Sequence, residues 1–133
     1  MVRDPGKVFQ PPPRCSLIPC APEGAAAVIV DSSVVTSIFL RRPGHERLID
    51  ALAGAGRAGI GAPTLAEANA EISRATGADL EGLVSRFLQE FGVEVVPFGE
   101  SHTRAAVDAW RRYGGGHGRA GLDLGGCLVY ATA

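Results

Sequence analysis

Three observations predict an α/β fold built on a central, mostly parallel sheet. Three short apolar runs, AAVIVD, RAGIGA and VEVVPF, have the length of strands. The runs are separated by stretches with apolar residues at helical spacing, two after each of the first two runs. Strands that alternate with helices need parallel connections, and the helices then cover the faces of the sheet. A chain of 133 residues suffices for one such domain with one core.

The elements follow in order. Residues 1 to 24 carry six of the nine prolines and no apolar period, which predicts a disordered tail ahead of a domain spanning 25 to 133. AAVIVD is continuous enough for a strand buried on both faces. SSVVTSIFLRR then places Val34, Val35, Ile38 and Phe39 on one helical face. Pro43 suits the first turn of a second helix bearing Leu48, Ile49 and Leu52, with a glycine-rich exit. RAGIGA is a weak second strand. PTLAEANAEISRAT forms a helix with Leu65, Ala68, Asn69 and Ile72 in register, and ADLEGLVSRFLQEF another through Leu80, Leu83, Val84, Phe87, Leu88 and Phe91. VEVVPF is the third strand, ESHTRAAVDAWRRY a helix and RYGGGHGRAG a loop. A last helix begins at Asp123, a good N-cap, with Leu124, Cys127, Leu128 and Ala131 on one face. Two glycines in its first turn are unexpected, since each interior glycine costs about 1 kcal/mol relative to alanine.

Composition narrows the function. With 13 basic and 14 acidic residues the net charge is −1, so any nucleic-acid contact must come from a local patch. Cys15, Cys20 and Cys127 make no even disulfide framework, and Cys15 and Cys20 lack further ligands at zinc spacing. Asp31 and the hydroxyl residues interrupt the longest apolar stretch, VIVDSSVVTSIFL. A soluble, cytoplasmic protein without a membrane partner is expected. GGGHG lacks the Lys-Ser/Thr of a phosphate-binding loop. Nothing resembles a nucleophile elbow, and Cys127 falls on the buried face, so serine and cysteine nucleophiles are not expected.

Two carboxylates stand out. Asp31 closes the first strand, and in parallel sheets sites gather beyond the carboxyl ends of the strands. It suits a cation ligand or the N-cap of the next helix. Ser32, beside it, is a candidate to orient a water. Glu67 has two roles open as well: with Thr64 it spells a capping box, and alternatively it projects toward Asp31 as a second ligand.

Taken together, VIVDSSVVTSIFL, APTLAEANAEI, VEVVPFGESHTRAAVDAWRRYG and GLDLGGCLVYATA resemble a PIN-domain ribonuclease of the VapC toxin type, over about residues 27 to 133. The most specific part is the run from RRYG through the glycine-rich loop to GGCLVYA, where the family pattern reads G-D-C-x-x-Y-A. The resemblance implies a three-layer α/β/α fold and a metal-dependent endoribonuclease, in which clustered acids bind Mg²⁺ or Mn²⁺ and activate a water against an RNA phosphodiester. It also implies a cognate VapB-type antitoxin that blocks the cleft, and a homodimer. Asp31 matches the first acid of the family and Glu67 the second, as metal-binding and catalytic residues. The third acidic position is occupied by Gly126, and the fourth is expected on a final strand beyond residue 133. Asp123, three residues before Gly126, is the candidate for a shifted third ligand. Activity therefore competes with a degenerate PIN domain that only binds antitoxin or RNA, or with a non-functional remnant. Arg111, Arg112, His117 and Arg119, near the expected cleft, are candidates for RNA phosphate contact.

Overall fold

The computed structural model describes residues 27–115 and 121–133. The expectations for residues 1 to 24, and for His117 and Arg119, lie outside the described residues. Nine elements run in the order β1 (Ala27–Ile29), α1 (Ser32–Phe39), α2 (His45–Gly54), β2 (Arg57–Gly61), α3 (Ala62–Thr76), α4 (Glu81–Glu90), β3 (Val93–Val96), α5 (Glu100–Tyr113) and α6 (Leu124–Thr132). Among the described residues all strand pairing is parallel, in the order β1-β2-β3. Among the described residues no helix is long and apolar enough to cross a membrane.

The weakest strand by sequence is the centre of the sheet. In β2, Ala58 and Ile60 enter a core shared with Val35 and Ile38 of α1, Leu52 of α2, Ala68 and Ile72 of α3, and Val84 and Leu88 of α4. Gly59 and Gly61 alternate with them onto the opposite face. A Cβ on Gly61 would lie 2.6 Å from Thr132 Oγ1, so only glycine lets the end of α6 settle on the sheet there. Helices therefore cover both faces, as a three-layer fold requires, and α5 packs along α6. By contrast, the apolar β1 is an edge strand. Val28 is 42% exposed, against the expectation of burial on both faces, because among the described residues no strand pairs its outer side.

Two helix starts differ from expectation. Pro43 lies ahead of α2, whose N-cap is Gly44 in the left-handed region at φ 88°. Arg41, also left-handed at φ 49°, ends the preceding turn. In α3 the N-cap is Gly61, with proline in the first turn, so Thr64 sits inside the helix and the Thr64–Glu67 capping box does not form. Leu83 of α4 is exposed while Val84 and Leu88 are buried, and Phe87 packs edge-on against Phe39 at 5.6 Å.

Thr64 is itself informative. Its Oγ1 is buried and has no hydrogen-bond partner among the described residues. A buried, unmatched hydroxyl is a standing penalty of about 1–3 kcal/mol. Thr64→Val keeps the branched shape and removes the orphan, so chemical denaturation should show a stability gain of about 1 kcal/mol. A loss of stability would mean that the hydroxyl has a partner in solution.

Candidate functional site

The two strand ends that feed α1 and α3 place Asp31 and the first turns of α3 at the same, carboxyl edge of the sheet. Asp31 is half-buried and caps α1. Its Oδ1 accepts from Ser32 N at 2.8 Å, and its Oδ2 accepts from Ser33 Oγ at 2.6 Å. Both oxygens are thereby oriented, and each retains a lone pair. Capping and ligation are compatible for this side chain. Ser32 is buried, and its hydroxyl reaches Asp31 Oδ1 only at 3.5 Å. The firmly bonded hydroxyl is that of Ser33.

Glu67, relieved of the capping box, extends from α3 toward the first turn of α6. A Cβ on Gly125 would lie 3.3 and 3.4 Å from the two Glu67 carboxylate oxygens and 3.5 Å from Asp123 Oδ1. Glu67 and Asp123 thus converge above Gly125 from two helices far apart in sequence. Asp123 is the N-cap of α6, its Oδ1 accepting from Gly126 N at 2.7 Å. A Cβ on Gly126 would lie 3.2 Å from that same Oδ1 and 3.1 Å from Leu122 Cδ2. Hard divalent cations take oxygen ligands, so the donor chemistry of this carboxylate pair fits them. Among the described residues no three His, Cys, Asp or Glu side chains gather closely enough to hold a metal, so Asp31 does not join Glu67 and Asp123 in one such group.

The basic residues divide. Arg42 bonds Glu71 Oε1 at 2.8 Å, tying the turn after α1 to α3 one helical turn beyond Glu67. Arg112 pairs with Asp108 at 3.0 Å, and Arg104 with Glu100. Arg111 is exposed in the last turn of α5. His102 and His45 serve locally. His102 Nδ1 accepts from Gly99 N at 3.1 Å, and His45 Nδ1 lies 3.0 Å from Arg42 O.

One feature escapes sequence reasoning. Between α5 and α6 runs an apolar groove of about 360 Å³, lined by Ala106, Val107 and Trp110 of α5 and by Leu124 and Leu128 of α6. Trp110 is 44% exposed there, with the backbone of Gly114 against its ring. The signal was present in the i, i+3, i+4 spacing of Thr103, Ala106, Val107 and Trp110, but spacing does not tell whether a face is covered.

Comparison with known proteins agrees with this architecture. The model of the PIN domain family matches residues 28–133. Ribonuclease VapC36 of Mycobacterium tuberculosis is 36% identical over 107 residues, covering 80% of this chain and 77% of that protein. VapC ribonuclease Mb2004c of Mycobacterium bovis matches equally well, at 36% over 107 residues. Ribonuclease VapC42 of Mycobacterium tuberculosis is 33% identical over 107 residues, covering 80% of this chain and 82% of that protein. With parallel strands, helices on both faces and acids at the carboxyl edge of the sheet, the chain belongs to the PIN-domain family, among the VapC ribonucleases.

Proposed function

We propose that this protein is a VapC-type toxin: an endoribonuclease dependent on Mg²⁺ or Mn²⁺, neutralised by a VapB-type antitoxin. The observation that carries the proposal is the convergence of Glu67 and Asp123 above Gly125, beside a strand end that presents an oriented Asp31. In this assignment Asp31, Glu67 and Asp123 hold the cation, which must draw the Glu67 and Asp123 carboxylates toward Asp31, since the three are not gathered without it. A bound divalent cation supplies positive charge against the phosphodiester and acidifies a water. Asp31 contributes a fixed carboxylate, because two hydrogen bonds set its rotamer before any ligand arrives. Arg111, Arg112, His117 and Arg119 draw in RNA phosphates, with Arg112 exchanging its pairing to Asp108 for a phosphate. A homodimer in the cytoplasm completes the proposal, in keeping with cysteines that form no even framework.

Ser33, rather than the buried Ser32, is assigned to support Asp31. Ser33→Ala removes the hydrogen bond to Oδ2, and isothermal titration with Mn²⁺ should show binding weakened about 10-fold, the usual order for a ligand's outer partner. An unchanged affinity would remove Ser33 from the site.

A second function is favoured by a specific observation. The described residues gather no three donors, and Gly126 stands where the resemblance leads one to expect an acid. On that basis the domain is a catalytically degenerate member that retains antitoxin or RNA binding. RNA cleavage assayed with added Mn²⁺, for the natural chain and for Asp31→Asn, separates the two: metal-stimulated cleavage lost in the variant supports the nuclease, and none in either supports the binding module.

A further inference from the structure

We infer that Gly125 is a positioning residue, whose missing side chain sets the gap between the Glu67 and Asp123 carboxylates and with it their affinity for a divalent cation. The inference rests on the assignment of those two side chains as ligands. Gly125 is the second residue of α6. It is not among the glycines with positive φ, so an L-residue adopts its backbone without strain. Glycine in a helix weakens it relative to alanine, so its presence calls for a reason outside the backbone.

Packing gives that reason a location. A Cβ on Gly114 would collide with the Trp110 ring at 2.6 Å, and one on Gly61 with Thr132 at the same distance, so those two glycines serve the fold. At Gly125 the three nearest atoms are all carboxylate oxygens: Glu67 Oε2 at 3.3 Å, Glu67 Oε1 at 3.4 Å and Asp123 Oδ1 at 3.5 Å. The shortest of these is tighter than ordinary contact with a methyl group, so the Glu67 carboxylate must give by a few tenths of an ångström. The Glu67 carboxylate ends a flexible side chain and is free to retreat, but retreat carries it off α6 and away from Asp123. A methyl group also displaces water from the gap, and Mg²⁺ keeps several waters when only a few carboxylates hold it. The helix therefore gains from alanine at this position while the carboxylate pair loses. A purely structural glycine would not behave in this way.

The test uses the full chain and two readouts, thermal unfolding in EDTA and Mn²⁺ binding followed by electron paramagnetic resonance and calorimetry. For Gly125→Ala the expected result is a metal-free Tm raised by about 2–5 °C and a Mn²⁺ Kd weakened about 10-fold. In a double-mutant cycle, Glu67→Gln should bring the two backgrounds to the same weak Kd, because the added methyl acts through Glu67. A lowered Tm would show that glycine is kept for folding and overturn the inference. An unchanged Kd would overturn it while leaving the ligand assignment standing. Absence of Mn²⁺ binding by the natural chain would overturn the assignment and the inference together.

Discussion

Asp31→Asn should lower Mn²⁺-dependent RNA cleavage by about 100- to 1000-fold while leaving the fold in place. The two effects separate because the proposed function gives Asp31 a second task beside capping, with different requirements. As N-cap of α1 it needs only an oxygen for Ser32 N, and asparagine caps a helix as well as aspartate. The amide nitrogen then faces Ser33 Oγ, which changes from donor to acceptor. Stability should stay within about 0.5 kcal/mol. As the proposed ligand, however, Asp31 would contribute a full negative charge that the amide lacks. Loss of several kcal/mol of transition-state stabilisation corresponds to the rate effect given, at 1.36 kcal/mol for each tenfold. Rates should be measured at saturating Mn²⁺ with unfolding monitored in parallel. Cleavage indifferent to the substitution would sink the assignment of Asp31, whereas a large drop in stability would mean that its capping geometry demands a carboxylate.

Much of the fold was legible because period and length identify α3, α4 and α5, whose buried positions Ala68, Ile72, Val84, Leu88, Ala106 and Ala109 recur at helical spacing. Strand order was not. AAVIV is the most apolar run, yet β1 is an edge, and RAGIG is the poorest, yet β2 is central. Its glycines depress the hydrophobic signal for a tertiary reason, the close approach of α6 at Gly61, which no local pattern records. Glu67 was ambiguous for a related reason. T-x-x-E looks alike whether the helix starts at Thr64 or earlier, and the deciding sign is Pro63, which belongs in a first turn that begins at Ala62. Asp31 and Glu67 were visible as acids near strand ends, and Asp123 as a cap. Their spatial relation was not, since the meeting of Glu67 with Asp123 depends on how α3 and α6 pack across half the chain.

That packing also bears on whether a carboxylate at position 126 would strengthen the proposed site. Gly126→Asp should tighten Mn²⁺ binding about 10-fold or more and raise the cleavage rate. Gly126 has no positive φ, so aspartate adopts its backbone freely. An acid in the first turn of α6 is also favoured by the helix dipole, by roughly 0.3–1 kcal/mol. Space is the constraint: a Cβ there would lie 3.1 Å from Leu122 Cδ2, the end of a side chain that can rotate away, and 3.2 Å from Asp123 Oδ1. The second contact sets two carboxylates side by side, raising repulsion in the metal-free state and attraction for a cation in the bound state. Both changes favour binding, as expected where ligand charge count tunes affinity. At cation concentrations well above Kd, a tenfold gain adds about 1.4 kcal/mol to folding stability through binding, which thermal unfolding with and without Mn²⁺ would detect. Gly126→Asn supplies nearly the same bulk without the charge and should show neither gain. If both variants bind Mn²⁺ as the natural chain does, then Glu67 and Asp123 do not form a cation site at this edge of the sheet, and the degenerate binding module becomes the better account of the protein.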